Sequence, residues 1–443
     1  MAKPAVATGA TADDPCIDLR VAAAGPCGQP THVAAAARSA GQSPACRTLA
    51  RSRFFLLTLV LVTALGPLAM SSFVPAIPAI QAAFGVAGSV AQLTLSVSML
   101  AMAFASLAYG SLADRFGRRP VLLGGIALGT LGSVVCALGP TIEWVIAGRA
   151  LQAAGASTGF VLARVVVRDV YGDSRAASVL AYVTAAMTLA PMIGPVAGGF
   201  LIDTTGWRAV FVVVAIVAAL LWLVVAWRLP ETRPDTVRAV TGPPGQGYRS
   251  VLTNATYVKF LAYGTLSQAA FFGFVAGAPY LMSEILGYPA AVYGLYFILV
   301  PIGYFIGSLV AGRYGELVSN ETLTLVGAVA GLAACVLGWF WVAGTALHPL
   351  ALFVPAAGLA VASGIALPGA QAGMLAAAGD NSGAGSGLFS FIQLLASAGA
   401  AQLVGTLQAA GPSGVFAVMV AASALGLAGY AIAGWRPLAR KPA

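Results

Sequence analysis

Twelve apolar stretches follow one another along this chain, and no soluble fold could bury them all. They cover residues 54–77, 89–112, 121–140, 144–166, 177–201, 207–228, 256–281, 290–312, 322–344, 349–374, 385–408 and 414–434. A helix needs roughly 20 apolar residues to cross the hydrocarbon core of a bilayer, and each stretch is long enough. Tilted barrel strands would alternate polar and apolar residues over about ten positions. These stretches do not alternate, so helices are predicted throughout. The composition agrees: hydrophobic residues make up 59% of the chain and charged residues 8%, where a soluble domain carries roughly 25% charged residues.

The net charge of +9 does not point to nucleic acid. The basic residues sit in short segments between apolar runs, and no basic face is interleaved with aromatics. With the N-terminus inside, one set of loops carries Arg47, Arg51, Arg53, Arg115, Arg118, Arg119, Arg168, Arg175, Arg228, Arg233, Arg238, Arg249, Lys259, Arg313, Arg436, Arg440 and Lys441. The other set keeps Arg208, beside Glu143, Asp203 and Glu284. By the positive-inside rule both termini are cytoplasmic. Arginine greatly outnumbers lysine and Ala and Gly are abundant, as in a GC-rich bacterial genome. A multi-pass protein of a bacterial inner membrane is expected.

The polar segments divide the chain. Residues 1–52, rich in Ala, Gly, Pro, Ser and Thr, read as a disordered cytoplasmic tail. A six-helix bundle is expected over 53–228, a cytoplasmic linker with four prolines over 229–253, a second six-helix bundle over 254–436 and a short tail over 437–443. The halves resemble each other. Gly110-Ser-Leu-Ala-Asp-Arg-Phe-Gly117 after the second run has a worn copy, Ser308-Leu-Val-Ala-Gly-Arg-Tyr-Gly315, after the eighth. Cys136 and Cys335 fall at similar depths in runs three and nine. The fold class is therefore an all-α membrane protein of twelve transmembrane helices, arranged as two six-helix pseudo-repeats with a cavity between them at mid-membrane.

Metal and enzyme chemistry find no support. Cys16, Cys27 and Cys46 lie in the tail, Cys136 and Cys335 in apolar runs, and His32 and His348 have no companion ligand nearby. No metal or cofactor is expected. The chain has no His-Glu-x-x-His, no P-loop and no Ser/His/Asp set at plausible spacing. No catalytic residue is assigned, and no signalling domain follows the twelfth run.

Mechanism concentrates in four motifs. The loop Gly110-Ser-Leu-Ala-Asp114-Arg115-Phe-Gly117-Arg118-Arg119-Pro120 joins runs two and three. Gly117 permits a tight turn, Pro120 suits a helix start, and the arginines anchor the loop inside. Asp114 opposes the dipole of the helix it ends, so a partner is expected to hold it. Run four carries Arg149-Ala-Leu-Gln152-Ala-Ala-Gly155. An intramembrane arginine is costly and marks function, although snorkelling to the nearby outer end is an alternative. Run five reads Ala190-Pro191-Met-Ile-Gly194-Pro195-Val-Ala-Gly198-Gly199; its prolines kink the helix and its glycines admit a neighbour, which close packing alone would also select. Ala163-Arg-Val-Val-Val-Arg168-Asp169-Val-Tyr171 lies between runs four and five.

These motifs carry a resemblance. The loop is similar to the signature loop of the major facilitator superfamily, which implies that Asp114 and Arg118 help lock the two halves when the cytoplasmic side is closed. Arg149 resembles the span-four arginine of proton-coupled exporters, implicated there in coupling. The span-five segment resembles the motif that marks antiporters. The segment ending at Tyr171, with Pro67-Leu-Ala-Met-Ser71-Ser72-Phe73-Val-Pro75-Ala-Ile-Pro78 in run one, resembles the bicyclomycin-resistance (Bcr/CflA) branch of drug:proton antiporters. The resemblance covers residues 54 to 436 and implies a monomeric secondary exporter of drugs, with protons as coupling ion.

One departure stands out. At Ser71 that family typically has an acidic residue, and no Asp or Glu lies in the middle of any run. A cavity lined by Ser71, Phe73, Gln268, Phe271, Phe272, Tyr280, Gln371 and Gln393 would suit neutral or zwitterionic molecules, because nothing in it offsets the desolvation of a lipophilic dication. The second transporter reading is export of an endogenous metabolite such as an amino acid or sugar derivative.

Overall fold

The computed structural model describes residues 53–232, 246–315, 317–344 and 347–434. The tail before Arg53, residues 233–245 of the expected linker and the tail after residue 434 lie outside the described residues, as do the side chains of Arg168 and Arg175. Among the described residues the chain is entirely helical, and twelve helices are long and apolar enough to cross a membrane. These spans are Phe54–Phe84, Gly88–Phe116, Arg118–Leu138, Ile142–Tyr171, Tyr182–Thr205, Trp207–Arg228, Ala255–Ile285, Ala290–Tyr314, Asn320–Gly344, Pro349–Ala378, Ser382–Thr406 and Gln408–Ala433, numbered one to twelve below.

Span one outruns its expected end at residue 77. Instead of stopping at Pro78, the chain takes one 3-10 turn over Val74–Ala76 and resumes as Ile77–Phe84. Pro75 and Pro78 each sit in the first turn of a new helical piece, where a missing N–H costs nothing. The helix ends at Gly85, whose φ of 61° is the left-handed C-cap. The linker also holds a short helix, Gln246–Thr253.

Spans four and five belong to one assigned helix, Ile142–Thr205, of 64 residues. Drawn straight it would be about 96 Å long, three times the thickness of the hydrocarbon core. Yet Arg208 Nη2 donates to the carbonyl of Gly139 at 3.3 Å, so the two ends lie together. The chain therefore doubles back within this stretch.

The bundles repeat one another. Span three packs on spans four and six, and span nine on spans ten and twelve; span two meets span four as span eight meets span ten. Glycine makes the tightest seam possible. A Cβ on Gly155 of span four would strike the backbone of Gly125 and Gly129, and one on Gly132 would strike Gly148 and Gln152. Cys136 and Cys335 are both fully buried.

Three apolar clusters form the core, and their membership divides the molecule along its length. One draws on both halves, with Phe73, Ile80, Leu95 and Phe211 beside Phe274, Phe353, Val404 and Phe416. The second holds first-half residues such as Leu59, Leu122, Val166 and Leu221. The third holds second-half residues such as Tyr257, Phe260, Met374 and Phe389. The shared cluster lies at the end away from Arg115, Arg118 and Arg119. Toward the basic end each bundle keeps a core of its own.

Polar contacts between the bundles gather at that shared end. Gln81 and Gln408 exchange side-chain hydrogen bonds at 3.3 and 3.1 Å. Gln402 accepts from Ser96 Oγ and donates to the Ser89 carbonyl, both at 2.9 Å. Asp203 accepts from the amides of Ala290 and Ala291 at 3.0 and 2.8 Å. A Cβ on Gly294 would strike the carbonyl of Pro195 across the same seam. Deeper, Phe104 meets Phe391 edge-on at 5.2 Å.

Candidate substrate cavity and gating loop

Below the shared core, a cavity of about 310 Å³ lies between the bundles. Span one contributes Pro67, Met70, Ser71 and Val74, span two Met102, span four Arg149, Gln152 and Phe160, and span five Met187, Pro191 and Pro195. Gln268, Phe271, Phe272 and Val275 of span seven and Tyr293 and Phe297 of span eight complete the opposite wall. The volume lies at the lower end of the range of small-molecule pockets.

Arg149 is 1% exposed, so its side chain turns inward instead of snorkelling to the surface. Its guanidinium lies 4.0 Å from the ring centroid of Phe73, Nε donates to the Thr94 carbonyl at 3.4 Å, and Nη1 donates to Gln152 Oε1. Gln152 in turn donates to Ser133 Oγ at 2.7 Å, tying spans two, three and four together through one polar chain. Among the described residues no acid lines the cavity, and Arg149 is its one charged group.

The residues expected at this site separate. Ser71, Gln268, Phe271 and Phe272 share the cavity wall with Arg149, Gln152, Pro191 and Pro195. Ser71 Oγ donates to the carbonyls of Leu68 and Ala190 at 3.2 and 3.3 Å, so it stitches span one to span five. Phe73 is fully buried behind Arg149, and Tyr280 packs against the shared core. Gln371 is exposed and Gln393 half-buried, and neither lines the cavity. Gly155 faces span three, Gly194 and Gly198 approach Ser71 and Ser72 of span one, and Gly199 meets Ala290 of span eight. Met102, Phe160, Tyr293 and Phe297 had no sequence signal, since an aromatic or Met within an apolar run reads as packing.

At the basic end the loop between spans two and three is a compact charge cluster. Gly117, with φ of 99°, makes the turn between spans two and three. Asp114 meets Arg118 Nη1 at 2.5 Å, and Arg118 Nε meets Asp169 at 3.2 Å, so one guanidinium joins spans two, three and four. Glu231 accepts from the backbone amides of Arg118 and Arg119 at 2.8 and 3.2 Å. It caps span three from the far end of span six, a role that nothing local to Leu229-Pro-Glu-Thr announces. Gly110 has open space around it, and Arg115 stacks on Phe116 at 5.2 Å. In the worn second copy Gly315 has a φ of −62°, and among the described residues that half has the ion pair Lys259–Glu321 at 2.5 Å.

The family model of the Major Facilitator Superfamily matches residues 59–401. Multidrug resistance protein D of Escherichia coli (strain K12) is 29% identical over 313 residues, 69% of this chain and 78% of that protein. YdgK of Bacillus subtilis (strain 168), an uncharacterized MFS-type transporter, is 29% identical over 284 residues, 63% of this chain and 70% of its own. Multidrug resistance protein MdtL of Escherichia coli O81 (strain ED1a) is 32% identical over 242 residues, 55% of this chain and 61% of MdtL. Among solved structures, an inward-facing, unoccupied bacterial homolog of the human lysosomal transporter Spinster superposes with a TM-score of 0.71 at 16% identity, covering 89% of this chain and 100% of that one. A D-xylose–proton symporter gives a TM-score of 0.67 at 15% identity, over 87% and 98% of the two chains. The fold is that of a multi-pass membrane protein. The chain belongs to the Major Facilitator Superfamily.

Proposed function

We propose that this protein is a secondary exporter of small, drug-like molecules, neutral or zwitterionic, working by alternating access in a bacterial inner membrane. The observation that carries the reading is the divided core: one apolar cluster binds both bundles at one end, and each bundle keeps its own cluster at the other. Two bodies that share a core at only one end can rock about the cavity between them without breaking either bundle. The gathered arginines favour the basic end as the cytoplasmic one; on that reading the packed end is the outer gate and both termini are cytoplasmic.

Export is favoured by the span-five prolines and glycines and by relatives named as multidrug resistance proteins. The run-one motif and the segment ending at Tyr171 favour the bicyclomycin-resistance branch, and Arg149 of span four favours proton antiport, with the protein acting as a monomer. The test is a susceptibility and accumulation panel in an efflux-deficient host, with and without a protonophore. Lower accumulation of at least some compounds, restored by the protonophore, is expected. Unchanged accumulation of every compound would refute drug export, and export indifferent to the protonophore would refute proton antiport.

A further inference from the structure

The cavity wall leaves two polar atoms unserved. Arg149 Nη2 and the Tyr293 hydroxyl are both buried and have no hydrogen-bond partner among the described residues, and both side chains line the cavity, one from each bundle. Buried polar groups are nearly always paired, so each such atom calls for an explanation. Arg149 is the harder case because it carries a full charge. Phe73 covers its guanidinium, and Thr94 and Gln152 occupy Nε and Nη1. All three partners are neutral; they offset part of the desolvation cost and leave the charge uncancelled. A cation held this way in a wall that carries no other charge favours an anion and disfavours a second cation.

We infer that the transported molecule carries an anionic group, of carboxylate type, that pairs with Arg149, while a second polar group meets Tyr293. The inference rests on the exporter reading and revises its substrate class, from neutral molecules to amphipathic anions, keeping those zwitterions that present their anionic end here. The rest of the wall fits such a molecule. Phe160, Phe271, Phe272 and Phe297, with Met70, Met102 and Met187, offer a broad apolar surface for its body. The absence of an acid at Ser71 then has a physical role. A carboxylate there would compete with the substrate's own for the guanidinium.

The test uses purified full-length protein in nanodiscs at neutral pH and a series of phenylalkanoates, from phenylacetate to phenylhexanoate, each beside its primary amide and its amine. The carboxylates are expected to bind about tenfold more tightly than either neutral or cationic counterpart. Arg149→Lys, which keeps the charge, should preserve that order, and Arg149→Gln should erase it in samples shown by thermal unfolding to be folded. Should Arg149→Gln not fold, the wild-type order and the Arg149→Lys variant decide by themselves. Equal binding across the series, preference for the amines, or no binding of any member overturns the inference. Carboxylate-selective binding without export of any compound would refute the exporter reading and leave the site standing. Export without charge preference would do the reverse.

Discussion

The carboxylate of Asp203 accepts hydrogen bonds from the backbone amides of Ala290 and Ala291, at 3.0 and 2.8 Å, across the seam between the bundles. These amides open the helix Ala290–Phe297, where N–H groups lack intrahelical partners and the dipole favours negative charge. A single acid at the end of span five therefore latches the first residues of span eight. Beside it, Gly294 and Pro195 bring the two helices into backbone contact.

Removing the latch should loosen this end. Asp203 is exposed, so its two bonds together contribute about 1 kcal/mol. Asp203→Ala is expected to raise the conformer open at this end about fivefold. The alkylation rate of Ser71→Cys by an impermeant maleimide applied from that side, in a background lacking the native cysteines, reports it. An unchanged rate would show that Asp203 does not hold the gate.

Gly294→Val should act more strongly on the same seam. A Cβ at Gly294 meets backbone atoms of Pro195 and Val196, which cannot rotate away as a side chain could. Transport should be lost, while maleimide reaches Ser71→Cys faster than in wild type. Gly312→Ala serves as control, because nothing lies within 4 Å of the added carbon. Wild-type transport by Gly294→Val would show that the contact is dispensable.

At the basic end, Asp114→Asn should lower transport several-fold without reducing the amount of protein in the membrane. Asp169→Asn should do likewise, since both carboxylates meet the Arg118 guanidinium. Because they share that partner, the double variant should depart from additivity by about 0.5–3 kcal/mol when the transport rates are converted to free energies. Strict additivity would separate the two carboxylates into independent roles.

Ser71→Asp places a carboxylate on the wall that also carries Arg149. Export should shift toward cationic compounds, and resistance to them should rise about fivefold, as expected when a buried charge gains a counter-charge worth roughly 1 kcal/mol. Susceptibility to matched cationic and anionic compounds measures the shift. The same profile in variant and wild type would remove Ser71 from the substrate path.

Much of the architecture was legible because hydropathy is local. Twelve runs, the turn at Gly117 and the one-sided arginines follow from residues close together in the chain, and among the described residues the structure has twelve spans with bounds moved by a few residues. Span one departs most, because the run read as ending at residue 77 continues through a 3-10 turn into a further helical piece, Ile77–Phe84, with Pro78 in its first turn. Glu231 and Asp203 could not be read this way. Each is an acid at the end of an apolar run, and its partner lies 112 or 113 residues away in one case and 87 or 88 in the other.

The cavity divides along the same line. Arg149 and Gln152 were conspicuous because polar groups are costly in a membrane, and both face the cavity. Gln371 and Gln393 were equally polar, yet they lie elsewhere, since a helix apolar on nearly every face carries no periodic signal of which face meets a neighbour. The sequence by itself determined that this chain has twelve runs able to cross a membrane, that positive charge gathers in one set of loops and which residues are expensive to bury. Only the tertiary structure decided that the bundles share a core at one end, that Asp203 latches Ala290 there, and that Arg149 stands in the cavity without a counter-charge. Those outcomes depend on side chains brought together from distant spans, where packing geometry selects the partners.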